Sequence, residues 1–571
     1  MSAALFKKTK LKALAAAIAG MFAAPASPGI WLDNADWNTG WFQDAAGTIP
    51  VTAVEQPLGL ILSKDKGLAL GAELITNGDF SNGLTGWSNS STLPATATIN
   101  GAGQLELYST SSTNALIGMS FTTVVGKEYR VLLDIPAMTA NWLRVSIGTT
   151  GGGSEIFTKD FAKGTATQSI FFVATTTTTH ISILNGWAGI DTIRSISCKQ
   201  IAGNHVYQST SGVRPVVSAR YNLLTKTEDF SASSVWVPTN ASATTDTITF
   251  SGTGTASSLD QTVTTALGSM VLSCEFYPGT SNKIQWGYID KGVASNRAEI
   301  DWTAKTITGI AGTVTSPTLT LLSDGWYRAQ FTTTVASSAG GDVFQIRGST
   351  TTTAGQTVKA RKADLRPSDQ ATGLLPPYQR VNTSSDYDGP DKGFPPYISF
   401  NGTQWLQTAA VDYSGVNKML VIAGVRKLSD AAVAILVELS NNATMNSGAF
   451  YVAAPVSAAA NYSTAAGGTV APGVTATGYA APITNVLSVI DDIPVPSLKL
   501  KVNGTQVASS AAPQGTGNFG NYAHYIGSRA GSSLFFTGQI HQLIVRGSTV
   551  AANDGQIGIG ESYSRMRSRA Y

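Results

Sequence analysis

The chain has 571 residues, 38 Lys and Arg against 35 Asp and Glu, a net charge of +3, 43% hydrophobic residues and only 13% charged ones. That is enough apolar material for several domains at about 100–200 residues each, but roughly half the usual charge, so neutral polar groups must cover the surface, and 58 Gly with abundant Ser and Thr supply them. Such β-favouring, turn-rich composition excludes a long coiled coil, a charge-rich disordered chain and a helical bundle, and the small net charge excludes a general attraction to nucleic acid or to an anionic membrane.

At the N-terminus, Lys7, Lys8, Lys10 and Lys12 precede an apolar run from Ala13 to Ala24, and Ala24-Pro25-Ala26 has the small residues of a signal-cleavage site. The run is shorter than the roughly 20 residues of a membrane anchor, so no stable membrane insertion is expected. Leu11, Leu14, Ile18 and Met21 fall at 3-4-3 spacing, the apolar stripe of a short helix suited to packing on copies of itself or on a larger assembly. Segment 1–29 therefore reads either as a removed secretory signal, which these residues alone favour, or as a retained attachment helix.

Residues 30–71 hold Trp31, Trp37 and Trp41, then short apolar runs broken by Pro50, Pro57 and Gly59. The segment is too short for its own core and too aromatic for a solvated linker. It is expected to dock on the C-terminal domain or on another protein, leaving the middle of the chain as an insertion. Residues 72–203 open with Glu73-Leu74-Ile75-Thr76-Asn77-Gly78-Asp79-Phe80 and Trp87. Short alternating runs follow, at Leu105 and Leu107, Tyr129 to Leu133, Val145 and Ile147, Phe171 and Val173, Ile181 and Ile183, and Ile193. This pattern predicts a sandwich or jelly roll.

A second unit, 215–368, echoes that opening with Asn222-Leu223-Leu224, Asp229-Phe230 and Trp236, which suggests a duplicated sandwich. Prolines at 367, 376, 377, 395 and 396 predict a linker over 369–396. The last unit, 397–571, alternates through Tyr397 to Phe400, Leu498 to Val502 with an Asn503-Gly504 hairpin, and Gly538 to Val545, with a short helix from about Asp554. Cys198 and Cys274 each share a strand face with apolar neighbours and are expected to be free, buried thiols. The fold class is all-β: several tandem antiparallel β-sandwiches with a short N-terminal helix.

Three resemblances arise at these residues. The run from Glu73 to Trp87, with Asp191-Thr192-Ile193, resembles carbohydrate-binding modules of the family 4/9 type, a jelly roll. The second unit, with NLLTKTEDF and DGWYRAQF, is similar to sandwich modules of tailed-phage structural proteins. The last, at ISFNG, KVNG and FTGQIHQLIV, resembles laminin-G/concanavalin-A-like domains. Together they resemble phage and prophage tail-associated or virion-surface proteins. The resemblance implies a virion location, other virion proteins and host-surface polysaccharide as partners, and a retained N-terminal helix, because a virion component assembles in the host cell without a signal peptide. It also admits a structural calcium ion near Glu73, Asp79 and Asp191, for which backbone carbonyls would have to complete six to eight oxygens. Ser81 stands where the family often has an acidic residue, and these residues favour the alternative, in which the acids satisfy local turn and strand-end backbone. Otherwise no cofactor is required.

Catalysis finds little support. A glycoside hydrolase needs two carboxylates about 5–10 Å apart. Glu438 stands alone, and Asp491 and Asp492 point to opposite faces of a strand. His180, His205, His524 and His541 form no H-E-x-x-H, Gly151-Gly152-Gly153 lacks a phosphate-loop Lys, and Asp386-Tyr387-Asp388-Gly389 reads as a turn. Glycan binding would use aromatic faces beside neutral polar groups. Trp142 and Trp187, flanked by Asn141 and Asn185, are the candidates, with Trp87 read as core. The expectation is a non-enzymatic virion protein (tail fibre, tail tip or surface decoration) that recognises host glycans, with a homo-oligomer among its open assembly states. The alternatives are a secreted adhesin cleaved after Ala26 and a polysaccharide-degrading enzyme.

Overall fold

A computed structural model describes residues 3–23, 27–47, 49–164, 166–265, 267–291, 294–337, 340–371, 375–440 and 447–569. The Ala24-Pro25-Ala26 site lies outside the described residues. Among the described residues two α-helices, α1 (Ala3–Phe22) and α2 (Asp554–Ser568), and a few single-turn 3-10 segments accompany an otherwise antiparallel β structure.

Three pieces of chain build a platform. Its eight-stranded sheet runs Val216–Ser218, Tyr397–Asn401, Thr537–Ser548, Lys418–Lys427, Ile483–Asp492, Ser497–Val502 and Thr505–Ser510. Gly29–Asp33 lies in series with Tyr397–Asn401 along one edge of Thr537–Ser548, with Trp31 opposite Ile544. The facing nine-stranded sheet begins with Trp41–Phe42, Leu60–Ile61 and Val206–Tyr207 before the C-terminal strands. The Trp-rich segment is thus not a separate docking piece. It supplies one strand to the first sheet and two to the second.

Thr537–Ser548 is buried on both faces, which explains its nearly continuous apolar run. Leu543 and Val545 point into the sandwich core, whereas Ile544 points the other way, into a cluster with Ile18, Met21 and Phe22 of α1, and Ile557 and Tyr563 of α2. The helix pair is therefore a third layer. Asn553 caps α2 through a capping box with Gln556, and Tyr563 Oη donates to Asp33 Oδ2 at 2.5 Å across 530 residues of sequence. The 3-4-3 stripe is consumed here. Ile18 and Met21 are buried and Leu11 and Leu14 partly so, all against this chain's own cluster. This corrects its assignment to particle attachment: Ile18 and Met21 are already covered within the chain, and Leu11 and Leu14 are covered in part.

Two modules rise from the platform, each closed at its base by a strand pair. The first, from Leu70–Glu73 to Ser195–Ile201, leaves the platform after Leu60–Ile61 and returns in Val206–Tyr207, where Val206 pairs with Ile61. Phe42, Leu60, Leu62, Leu68, Phe171 and Tyr207 pack at this junction. The second leaves after Val216–Ser218 and returns in Tyr397–Asn401, where Ser218 pairs with Tyr397. It is a sandwich of two six-stranded sheets. The expected linker 369–396 is instead packed: Leu375, Val381, Tyr387 and Phe394 form a core with Ala219, Tyr221 and Tyr397. Its apolar residues outweigh its prolines.

The duplicated opening has a physical basis. Trp87 Nε1 donates to the Asn77 carbonyl at 3.2 Å and Trp236 Nε1 to the Lys226 carbonyl at 3.0 Å. Phe80 packs on Trp87 as Phe230 packs on Trp236. Asn77, Phe80 and Lys226 have φ near +50 to +58°, so each Trp pins a tight, strained turn.

Candidate glycan-binding face

In the first module a five-stranded sheet runs Phe157–Ala162, Trp142–Gly148, Thr178–Asn185, Ala115–Thr122, Ser88–Asn89. Side chains alternate along each strand. Leu143, Val145, Ile147, Ile181 and Ile183 enter the core, so Trp142, Arg144 and Ser146 share the opposite, outward face with Ser182 and Leu184. That face forms a groove of about 350 Å³ lined by Leu116, Arg144, Ser146, Thr158, Ser182 and Leu184, bordered by Gly152 and Ser154.

Register places Arg144 opposite Asp160. Arg144 donates to Asp160 through Nε at 2.6 Å and Nη2 at 2.8 Å, a bidentate pair. The same hydrogen bonds hold the Arg144 pKa above its usual value and the Asp160 pKa below its own, so both stay charged. The guanidinium also lies 5.0 Å from the Trp142 ring centroid, and the ring reaches so close to Gly186 that any β-carbon there would clash with it. Trp142 is thus fixed, half-buried, against Arg144, which lines the groove. An aromatic ring, a balanced fixed charge pair and small hydroxyls suit a polyol: the ring takes a C–H face, and the polar groups exchange hydrogen bonds with hydroxyls. Asp160, ionised and bound through both oxygens, is no proton donor.

Of the residues singled out from sequence, Trp187 is 47% exposed beside this face and Asn141 is exposed at its edge. Asn185 is a correction. It is fully buried, donating from Nδ2 to the carbonyls of Leu107 and Gly189 and accepting from Trp187 N, so it shapes the loop and offers a ligand nothing. Arg144, Asp160, Ser146, Thr158 and Ser182 escaped the sequence reading. One signal was there: Arg144 follows Trp142 by two on a strand and so shares its face.

Glu73, Asp79 and Asp191 are not brought together, and among the described residues no three His, Cys, Asp or Glu side chains converge as metal ligands. Glu73 Oε1 accepts from the backbone N–H of Leu74, Ile75 and Cys198, tying the first strand to the last. Asn222 does the same in the second module, accepting from Leu224 N and Leu365 N. A neutral side chain serves there, so the position calls for an acceptor rather than for calcium charge. Asp79 accepts from Ser81 in a turn, as Asp229 does from Ser231. Asp191 is buried, accepting from Ala140 N, and burial raises it to about 6. These residues do not fit a calcium site.

In the platform, Glu438 is buried and accepts from Ala530 N at 2.8 Å and from Arg529 at 3.3 Å. Asp491 is buried against Gln514, and burial raises it to about 7. Burial lowers His205 to about 4 and His524 and His541 to about 3, leaving them neutral at pH 7. Cys198 and Cys274 are free and buried.

No family model and no curated protein matches the chain. Solved structures do. One is the carbohydrate-binding module CBM40 of the Ruminococcus gnavus IT-sialidase, at 14% identity and TM-score 0.23, covering 28% of this chain and 93% of that one. Others are a SAP-like pentraxin from Limulus polyphemus (11%, TM-score 0.24, 30% and 81%) and the receptor-binding domain of the botulinum neurotoxin C/D mosaic serotype (9%, TM-score 0.22, 29% and 42%). Each likeness spans less than a third of this chain and concerns the β fold alone.

Proposed function

We propose that the protein is a non-enzymatic glycan-binding protein whose first module takes neutral hexose units of a polysaccharide in the Trp142–Arg144 groove. The observation that carries this reading is the fixed Trp142–Arg144–Asp160 arrangement beside a hydroxyl-lined groove, with its charge balanced and its carboxylate committed. Exposed Trp187 and Asn141 extend the same surface. The platform adds a structural argument: helices α1 and α2 both pack onto its sheet, so the modules stand away from a common base as ligand-presenting elements.

In the wider reading, also proposed, the platform joins a phage or phage-like particle and the modules face the host-surface polysaccharide. That part rests on the sequence resemblance. The intramolecular burial of Ile18 and Met21 supports a retained helix α1 and so favours this reading over a secreted, cleaved adhesin. Attachment then falls to platform surfaces other than the apolar stripe.

The test is retention of the full chain on an array of immobilised neutral and acidic glycans. Wild type is expected to retain neutral oligosaccharides without shortening them, and Trp142→Ala to lose that retention at least several-fold with an unchanged melting curve. Equal retention by Trp142→Ala and Arg144→Ala, or release of oligosaccharide fragments, would overturn the reading.

A further inference from the structure

The second module carries, on an unrelated stretch of sequence, the device that defines the groove of the first. In its sheet, Leu272, Cys274 and Phe276 face the core together with Tyr327, Ala329 and Phe331. By alternation, Glu275 and Tyr277 face outward beside Arg328. Trp326 immediately precedes that strand, in a turn made at Gly325 with φ +86°. The Arg361 guanidinium lies 4.2 Å from the Trp326 ring centroid and is held by Asp324 Oδ2 at 2.5 Å and by Glu275 Oε2 at 2.8 Å. The Tyr277 ring, 44% exposed, sits 5.8 Å from that of Trp326. An Arg laid on a Trp and fixed by an Asp recurs, here with a second aromatic ring beside it.

The charge differs from that of the first module. Arg328, Arg361 and Lys362 all converge on Glu275, whose side chain is 1% exposed, while the cations are 26–34% exposed. Three cations meet two carboxylates, and the more central carboxylate is buried beneath them. Glu275 and Asp324 take the Nε and one Nη2 hydrogen of Arg361, and Glu275 takes one Nη2 hydrogen of Arg328, out of the five N–H donors each guanidinium carries, and both side chains are part-exposed.

We propose that this face is a second saccharide site, with Trp326 and Tyr277 as the stacking surface and Arg361 and Arg328 selecting glycans that carry a carboxylate, such as uronic or sialic acid units. It rests on the glycan-binding reading for its ligand class. Two sites on one rigid base also make binding to a long polymer multivalent, since the second contact becomes intramolecular.

The test applies the full chain and the Trp326→Ala, Tyr277→Ser and Trp142→Ala variants to the same glycan array, with a parallel set in which the carboxyl groups have been reduced to alcohols. Wild type should retain carboxylated glycans, and carboxyl reduction should weaken this at least tenfold. Trp326→Ala and Tyr277→Ser should lose it to the same extent while keeping neutral-glycan retention, and Trp142→Ala should show the converse. Failure of the first module's reading is separable: neutral-glycan retention would then be absent or unchanged by Trp142→Ala, while acidic retention persisted in every protein but the two second-module variants. Unchanged acidic retention in both Trp326→Ala and Tyr277→Ser, or no acidic retention by Trp142→Ala and wild type, would overturn the proposal.

Discussion

Replacing Ile18 by Ala tests whether the N-terminal helix belongs to the platform. Ile18 is fully buried among Met21, Phe22, Trp31, Ile544, Ile557 and Tyr563. The substitution removes three carbons, about 0.8 kcal/mol each by transfer, and leaves a cavity between two helices and a sheet that cannot collapse freely. Better helix propensity of Ala returns a few tenths, so the net loss should be about 2–4 kcal/mol. For a domain of the platform's size this lowers the melting temperature by roughly 5–12 °C. Calorimetry of the full chain should show the platform transition moving down with both module transitions in place, whereas exposed Ala19→Ser should move it by no more than about 0.5 kcal/mol in equivalent stability. A platform transition unmoved by Ile18→Ala would refute the seating of α1 on Thr537–Ser548, and the correction to the stripe's role with it.

Other consequences follow from single side chains. Glu128 is fully buried, neither oxygen has a hydrogen-bond partner, and burial, with Asp44 nearby, raises it to about 8 from 4.5. The folded state therefore keeps a proton that the unfolded chain releases above pH 4.5, so stability falls as pH rises from there to about 8. Glu128→Gln should flatten that slope and stabilise the first module by up to about 3 kcal/mol at pH 7, and urea titrations showing equal slopes in both proteins would contradict this. Glu73→Gln keeps an acceptor for three backbone N–H groups and should cost less than about 1 kcal/mol, whereas Glu73→Ala strands them at a cost of about 1–3. Chelators should leave the first module's melting unchanged, and a chelator-induced drop would restore calcium. Asn185→Ala should destabilise that module by about 2–3 kcal/mol through its orphaned loop carbonyls, while Asn141→Ala should be nearly silent in thermal melts.

What sequence made legible was local. The two module openings could be read because Asp-Phe-Ser followed by Trp is a contiguous device, in which the Trp pins its own turn. The Trp-rich segment could be recognised as unable to stand alone. Its place could not, because Trp31 meets Ile544 by pairing across the whole chain, and strands as short as Val206–Tyr207 and Val216–Ser218 carry no periodicity. The 3-4-3 spacing announced an apolar stripe but not what covers it. Proline counting mistook 369–396 for a linker because Tyr387 and Phe394 gain their meaning only from Tyr221 and Tyr397. The binding face was half visible. Trp142 stood out by type, but Arg144 and Asp160 lie 16 residues apart and become a pair only through strand register. Asn185 looked like a ligand-binding amide because a buried loop clamp and an exposed one have the same letter.

The central claim is that a saccharide sits in the groove of the first module. Hydrogen–deuterium exchange of the full chain, with and without an oligosaccharide it retains, locates the ligand without any substitution. Slowed exchange in Trp142–Gly148, Phe157–Ala162, the 150–154 loop and the 186–188 turn, with platform strands unchanged, is the predicted result for a neutral glycan. Protection confined to the platform, around Glu438 or Asp491, would contradict it.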